Sequence, residues 1–258
     1  MKNILILVPT KNSWLYLPRL VDSLKKQTDA NFRVIFVDSN SCSKHKKYLL
    51  EIKKKDPRFI FYNQNDNYKG IYGAMNNGIE YAKKNEWILF WGSDDYAYSK
   101  NTIKFIRSVI NKLKEDENTN MIIFKGRFVD HKTGKTKSKK HFSYFSDSEI
   151  NRLEYKKLLF NGFRQAHQAT LINPWEITKK YDEKYSLAAD LDFYLKTTKL
   201  PHTKIKFCNK NIVNIGIGGV SRQKHILRTY EVFSIYLKSF KFLFFFPLLK
   251  RYLRFYDN

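Results

Sequence analysis

The feature that most restricts this chain is the alternation of apolar runs with helical periodicity over its first 100 residues. "ILILV" (4–8) and "RVIFVD" (33–38) are unbroken, β-branched and apolar, the pattern of strands covered on both faces. Between them Leu17, Leu20, Val21 and Leu24 recur at the spacing of one buried helix face. A helix over 43–55, a strand "RFIFYN" (58–63), a helix over 70–84 and a strand "WILFW" (87–91) continue the alternation. Strand–helix–strand units of this size build a mostly parallel sheet with helices on its faces. The expected class is therefore α/β.

The second half is less regular. The spacing predicts a helix over 101–116, a strand "MIIFKGRFVD" (121–130), a basic hairpin tip around Gly134, and a helix over 147–160. A strand over 168–173 and a helix over 188–198 follow. With no internal repeat and no low-complexity linker, the chain divides into one domain over 1–222 and a basic, aromatic, helical tail over 223–258.

Lysine and arginine total 48 against 24 aspartates and glutamates, a formal charge of +24. Such an excess implies an anionic partner: nucleic acid, an acidic membrane surface or phosphorylated substrates. No helix-turn-helix, zinc-finger or RRM signature is present, and most aromatics sit inside apolar runs, which weighs against nucleic acid. Two cysteines, Cys42 and Cys208, suit a reducing compartment and supply no zinc set. The N-terminal apolar run stops at Pro9, and no uninterrupted stretch reaches the roughly 20 apolar residues a bilayer requires. The expected location is the cytoplasm, peripheral on the inner face of the membrane.

"LFWGSDDYAYS" (89–99) ends a buried-strand pattern on adjacent acids, Asp94 and Asp95. Ligands of open α/β sheets sit beyond the carboxyl ends of the strands. Neighbouring carboxylates repel unless a cation neutralises them, and Mg²⁺ or Mn²⁺ would do so while holding phosphate oxygens. A Ser-Asp turn capping the next helix explains the same residues, and they alone leave both readings open. The turn after the first strand, "VPTKNSW", lacks glycine, so neither a dinucleotide fingerprint nor a P-loop is present. A pyrophosphate would then depend on a metal rather than on a glycine-rich nest.

The ordered segments "ILVPTKN", "VIFVDSNS", "KGIYGAMNNGIEYAKKNEWILFWGSDD", "HQATLINPWEI", "YDEKYSLAADLDFYLKT" and "GIGGVS" together resemble glycosyltransferase family 2 in the GT-A fold. The bacterial branch that assembles surface polysaccharides such as O-antigen or capsule is most similar, and the resemblance covers about residues 2–222. It implies a single Rossmann-like, mostly parallel central sheet flanked by helices. It also implies a metal-dependent, inverting hexosyl- or N-acetylhexosaminyltransferase that uses a nucleotide-sugar donor, usually a UDP-sugar.

Carried over by residue, the resemblance places Pro9, Thr10 and Asn12 against the nucleoside. Asp38 would accept from uracil N3–H; alone, it is equally a turn acid. Lys69 and Gly70 enter a helix whose amides can face the donor, with Asn76 one turn in. Tyr68 and Gly73 replace acids frequent in relatives. In "WGSDD", Gly92 replaces the first metal-motif acid. Asp94 is left as the principal Mn²⁺ or Mg²⁺ ligand, with Asp95 beside it and Ser93 in the donor turn. Asp190 matches the catalytic base; without the resemblance it reads first as a helix N-terminal acid. Asp192 would support the helix start or the donor sugar, and His167 would touch a bound sugar or be structural. Gly218, Gly219, Ser221 and Arg222 form a candidate lid over the diphosphate, with His225 a candidate for the metal shell.

The tail carries Phe240, Phe242, Phe244, Phe245 and Phe246 among many basic residues, and Glu231 is the only acid over 222–254. Such a segment can lie on an anionic membrane surface, pack on the domain, or contact a second copy in a homodimer. By analogy with the same branch, the acceptor is a polyprenyl-diphosphate-linked saccharide. Two rivals remain: a nucleotidyltransferase, which would need a glycine-rich first loop, and a non-catalytic relative that only binds sugar nucleotides.

Overall fold

The computed structural model describes residues 2–113, 119–130, 133–136, 142–175, 180–217 and 224–253. Strands β1 (Asn3–Thr10), β2 (Phe32–Asp38), β3 (Phe59–Asn63) and β4 (Glu86–Phe90) alternate with helices α1 (Leu17–Lys25), α2 (Ser43–Lys55) and α3 (Gly70–Ile79). A two-residue strand β5 (Tyr96–Ala97), α4 (Thr102–Asn111), β6 (Thr119–Asp130), β7 (Ser148–Asn151) and α5 (Arg152–Phe160) come next. They are followed by β8 (Thr170–Ile172), α6 (Ala189–Thr197), β9 (Lys204–Ile217), α7 (His225–Phe240) and α8 (Phe245–Leu253).

The strands form one sheet in the order β3-β2-β1-β4-β8-β6-β9-β5, with β7 also paired to β9. The pairings β3–β2, β2–β1, β1–β4 and β6–β9 are parallel, whereas β8 runs antiparallel to both β4 and β6. β5 and β7 oppose β9. Six of the nine described strands therefore share one direction, and the sheet is mostly parallel, as expected.

Alternation along each strand feeds two separate cores. Ile4, Ile6 and Val8 of β1 pack with the apolar stripes of α1, α2 and α4 on one face. Leu5 and Leu7 pack with α3, α5, α6 and α7 on the other. That two-sided burial is why β1, β2 and β4 read as unbroken apolar runs. Pro18 near the start of α1 has the fixed φ a helix entry tolerates. Asn151 and Glu154 form a reciprocal capping box for α5.

Several elements differ from the sequence expectation. The helix expected over 70–84 ends at Ile79, with backbone turns at Glu80, Tyr81 and Ala82. The helix expected over 147–160 starts at Arg152, because Ser148–Asn151 are drawn into pairing with β9. The far end of the helix expected over 101–116 lies outside the described residues. Strands β5, β7 and β9 fall where the sequence predicts no strand. Around Gly134 (φ 71) the backbone turns, with Thr136 bridging back to Val129; the rest of the expected tip lies outside the described residues.

The tail is joined to the body of the fold. Val232, Ile235 and Tyr236 of α7 are at most 1% exposed and belong to the second core. Burying each such side chain is worth about 1.5–3 kcal/mol, so detaching α7 would cost a large share of a typical domain's stability. Beyond it Lys241 takes φ 50 and breaks the helix before α8, whose first turn accommodates Pro247. No described helix is long and apolar enough to cross a membrane.

Candidate active site

Because β2, β1 and β4 are adjacent and parallel, their carboxyl ends and the loops that follow lie side by side. Thr10 and Asp38 are register partners at this edge. The Asp38 carboxylate accepts from Thr10 Oγ1 at 3.1 Å, from the Ser41 backbone N–H at 2.9 Å and from Ser41 Oγ at 2.5 Å. His45 Nε2 lies 3.2 Å from the same oxygen that Ser41 Oγ reaches. Burial holds the His45 imidazole below its ordinary pKa, with Asp38 pulling the other way. Asp38 is fully buried beneath the first two loops.

Those loops are stitched together above Asp38. Asn12, at φ 51, donates its backbone N–H to Ser41 Oγ at 2.7 Å, and its side-chain oxygen accepts from the Cys42 N–H at 2.8 Å. Ser13 Oγ donates to Ser93 Oγ at 2.8 Å, and Ser93 Oγ donates to the Pro9 carbonyl at 3.3 Å. Pro9, Thr10, Asn12 and Ser93 thus form one continuous shelf.

Asp94 and Asp95 occupy different environments. Asp95 is 1% exposed, and its oxygens accept from the Gly92 N–H at 2.6 Å and the Gly216 N–H at 3.1 Å. Burial first, and the neighbouring Asp94 second, push its carboxyl well above the usual range. Asp95 therefore ties the β4 loop to β9, and both its oxygens are engaged. Asp94 is partly exposed and lies between two glycines: a Cβ on residue 216 would collide with its carboxylate, and one on residue 92 would stand 2.9 Å from it. The departure at Gly92 thus leaves room that the Asp94 side chain uses.

Among the described residues no three His, Cys, Asp or Glu side chains cluster as a metal cage, and His225, exposed at the start of α7, joins none. A hard divalent ion nevertheless suits the carboxylate of Asp94, since Mg²⁺-type sites commonly use one or two carboxylates plus substrate phosphates. Asp94 thus offers one carboxylate of the kind that suits an ion arriving with a diphosphate.

A second group gathers at the same sheet edge. Asp190 lies in the first turn of α6, and Tyr72 Oη of α3 donates to its Oδ1 at 3.3 Å. His167 stacks on Phe90, the last residue of β4, with centroids 5.3 Å apart. Its Nε2 lies 2.8 Å from Tyr181 Oη. Burial lowers the His167 pKa while the Asp190 charge raises it, and burial with the Asp190 charge raises that of Tyr72. His167 is thus a buttress of the aromatic wall beside Asp190. Asp192 is buried and paired with Lys196 Nζ at 2.5 Å, which makes it a support for α6.

The entry to α3 is closed from within. Glu183 Oε2 accepts from the Lys69 N–H at 2.8 Å, and Glu183 Oε1 accepts from Asn76 Nδ2 at 3.0 Å. Asn76 also exchanges two hydrogen bonds with the Tyr181 backbone, both at 2.9 Å, and is 2% exposed. Gly70, at φ 67, makes the turn into the helix, a conformation that favours glycine. A ligand at Lys69 and Gly70 therefore meets an amide already engaged by a carboxylate, and Asn76 fastens the 181–183 loop. Gly218, Gly219, Ser221 and Arg222, the candidate lid, lie outside the described residues.

Sequence reasoning missed Ser41, His45, Tyr72, Tyr181 and Glu183. Each sits in or near a segment that carries the resemblance, but partner distance, which identifies its role, leaves no local pattern.

The sequence pattern of the family described as glycosyl transferase family 2 matches residues 5–170. A PGL/p-HBAD biosynthesis glycosyltransferase of Mycobacterium bovis is 25% identical over 224 residues, covering 84% of this chain and 78% of that protein. A GalNAc(5)-diNAcBac-PP-undecaprenol beta-1,3-glucosyltransferase of Campylobacter jejuni is 26% identical over 190 residues, covering 72% of this chain and 56% of that protein. The crystal structure of S. aureus TarS 1-349 in complex with UDP-GlcNAc matches with a TM-score of 0.66 at 19% identity, over 93% of this chain and 67% of that one. This chain spans 39% of a longer TarS chain. Mannosyltransferase PcManGT from Pyrobaculum calidifontis, in complex with GDP-Man and Mn2+, matches at 0.65 and 13% identity, over 97% and 69%. At these identities the structures establish a shared fold, that of GT-A glycosyltransferases.

Proposed function

This chain belongs to glycosyl transferase family 2, and from that premise we propose that it moves a sugar, with inversion, from a UDP-sugar to a hydroxyl of a lipid-linked saccharide during surface polysaccharide assembly. The observation that carries the reading is Asp190, a partly exposed carboxylate steadied by Tyr72 at the edge where the nucleotide shelf lies. A carboxylate there can take the proton from an acceptor hydroxyl as that oxygen attacks the anomeric carbon. The bond from that carbon to the donor phosphate breaks, its electron pair leaves with the nucleoside diphosphate, and one displacement inverts the centre.

Thr10, Asn12 and Ser93 hold the nucleoside in this proposal, with Asp38 fixing the shelf from below. Asp94 is the residue that would hold a divalent ion, which when bound supplies Lewis-acid stabilisation of the leaving diphosphate. Asp95 sets the loop that presents Asp94. The donor class is supported by the UDP-GlcNAc held by TarS and the GDP-Man held by PcManGT, and a metal by the Mn2+ in the latter. The acceptor class is supported by the undecaprenol-linked substrate in the name of the Campylobacter relative.

The tail is proposed to rest on the anionic inner face of the cell membrane. Ile226, Tyr230, Phe242, Phe245, Phe246 and Leu249 are exposed on α7, α8 and the turn between them, and Lys238, Lys241 and Lys250 are exposed beside them. Aromatics in the headgroup layer with flanking cations are the makeup of an interfacial anchor. The same face could seat a second copy of the chain, the competing occupant.

A panel of nucleotide sugars assayed with Mn²⁺, with the product's anomeric configuration read by NMR, tests the proposal. Transfer with inversion from at least one UDP-sugar is expected. Nucleotide binding without turnover against any lipid-linked acceptor would favour the non-catalytic alternative.

A further inference from the structure

We propose that Glu231, on the tail helix α7, is a positioning residue for the catalytic base, so that the tail is part of the catalytic machinery. This rests on the reading of Asp190 as the base. Glu231 is 5% exposed and makes four hydrogen bonds to one short segment. Its Oε1 accepts from the Ser186 backbone N–H at 2.8 Å and from Ser186 Oγ at 2.9 Å. Its Oε2 accepts from the Leu187 N–H at 2.8 Å and the Ala188 N–H at 2.9 Å.

Those three residues lead directly into α6, and Asp190 is the second residue of that helix. The opening amides of a helix need partners from outside it, usually from the side chain at the N-cap. Here the N-cap is Ala188, which has no side chain able to do this. Glu231, more than 40 residues further along the chain, takes the N–H of Ala188 itself and those of the two residues before it, and so fixes the backbone that enters the helix. A negative group at this end also complements the helix dipole.

The approach to α6 is therefore held from α7, while Tyr72 holds Asp190 from α3. Val232 and Ile235, buried just after Glu231, fix α7 against the second core, so the carboxylate is presented from a rigid element. Glu231 is also the only acid in the basic stretch 222–254. Retaining one carboxylate there, buried and fully engaged, is the choice a positioning role requires.

The test uses the full chain with Glu231→Ala, Glu231→Gln and Asp190→Asn, alone and with Glu231→Ala combined with Asp190→Asn. Readouts are kcat, KM for the donor, UDP affinity and amide exchange over 186–190. A misplaced catalytic group can cost about 100-fold in rate. Glu231→Ala is expected to lower kcat by about 10- to 100-fold, with donor KM and UDP affinity held and the Leu187 and Ala188 amides exchanging faster. Glu231→Gln, which keeps the length and one acceptor oxygen, should fall between and serves as the test if the alanine variant folds poorly. In the Asp190→Asn background Glu231→Ala should add little, because residues acting as a unit are not additive. Full kcat in a folded Glu231→Gln or Glu231→Ala variant, or a fully additive loss in the double variant, would overturn the proposal while leaving the base in place. Full transfer by Asp190→Asn alone would overturn the base reading and this inference with it.

Discussion

Glu183 Oε2 accepts a hydrogen bond from the Lys69 backbone N–H at 2.8 Å, and the same oxygen stands 3.0 Å from where a Cβ on Gly73 would project. Residue 73 is where relatives resembling this chain often carry an acid. Here the carboxylate comes from the 181–183 loop, and glycine leaves it the space.

Gly73→Asp should therefore be destabilising by about 1–3 kcal/mol, the usual cost of overpacking. Its Cβ would lie 2.9 Å from the Tyr68 carbonyl carbon and its charge would face Glu183. Chemical denaturation measures the loss, and adding Glu183→Gln should recover only the part due to charge. A neutral Gly73→Asp would contradict the arrangement.

Asp38→Ala removes a buried acceptor from Thr10 Oγ1 and from both donors of Ser41. Bonds to a charged group are worth about 1.5–3 kcal/mol each when broken singly, so a clear loss of stability is expected without any nucleotide present. Thermal melting of the ligand-free protein checks this. A variant of unchanged stability that lost only UDP affinity would instead place Asp38 in direct contact with the base.

These two positions show how much of the site is legible in the sequence. Asp38, Asp94, Asp95 and Asp190 can be picked out because strand ends and helix starts are visible, and the structure brings their segments to one sheet edge. Their individual roles cannot, since Asp94 and Asp95 are adjacent in sequence yet differ in burial and partners. Strands buried on both faces announced β1, β2 and β4. β9 was hidden because Asn209, Lys210 and Asn211 interrupt its apolar residues, and β7 because its four residues are largely exposed. The tail's composition is dominated by its outward face, while Glu231, Val232, Ile235 and Tyr236 point inward.

His167 also predicts a pH effect. Burial holds its pKa below the ordinary 6.5, so the unfolded chain binds the proton more readily. Its contribution to stability is complete above pH 6.5 and declines as pH falls below it, by about 1.4 kcal/mol for each unit of depression. Asp95, with its pKa raised, acts in the opposite sense, gaining stability as pH falls through its folded value. Comparing the wild type with His167→Gln between pH 7.5 and 5.5 cancels Asp95. The wild type should lose more stability on acidification than the variant, and equal losses would contradict the assignment.

Gly216→Ala should resemble Asp94→Ala. The added methyl would occupy the place of the Asp94 carboxylate, which must then swing away. Both variants should lose Mn²⁺-stimulated UDP binding, measured by calorimetry with and without metal. Intact metal stimulation in Asp94→Ala would remove Asp94 from the ligand set.

The tail's exposed aromatics and lysines predict binding to anionic vesicles that weakens with salt, each cation contributing about 1 kcal/mol near the surface. Co-sedimentation with phosphatidylglycerol vesicles should fall when Lys238, Lys241 and Lys250 are replaced by glutamine. Indifference to vesicles, together with a dimer in light scattering, would assign the face to a second copy.

Asp190→Asn, assayed in parallel for sugar transfer and for UDP affinity, tests the central claim most directly. Transfer should fall by about 100-fold or more, the scale of a lost general base, while UDP affinity stays within about twofold of wild type, a difference of under 0.5 kcal/mol. Transfer at the wild-type rate with UDP affinity unchanged would contradict it.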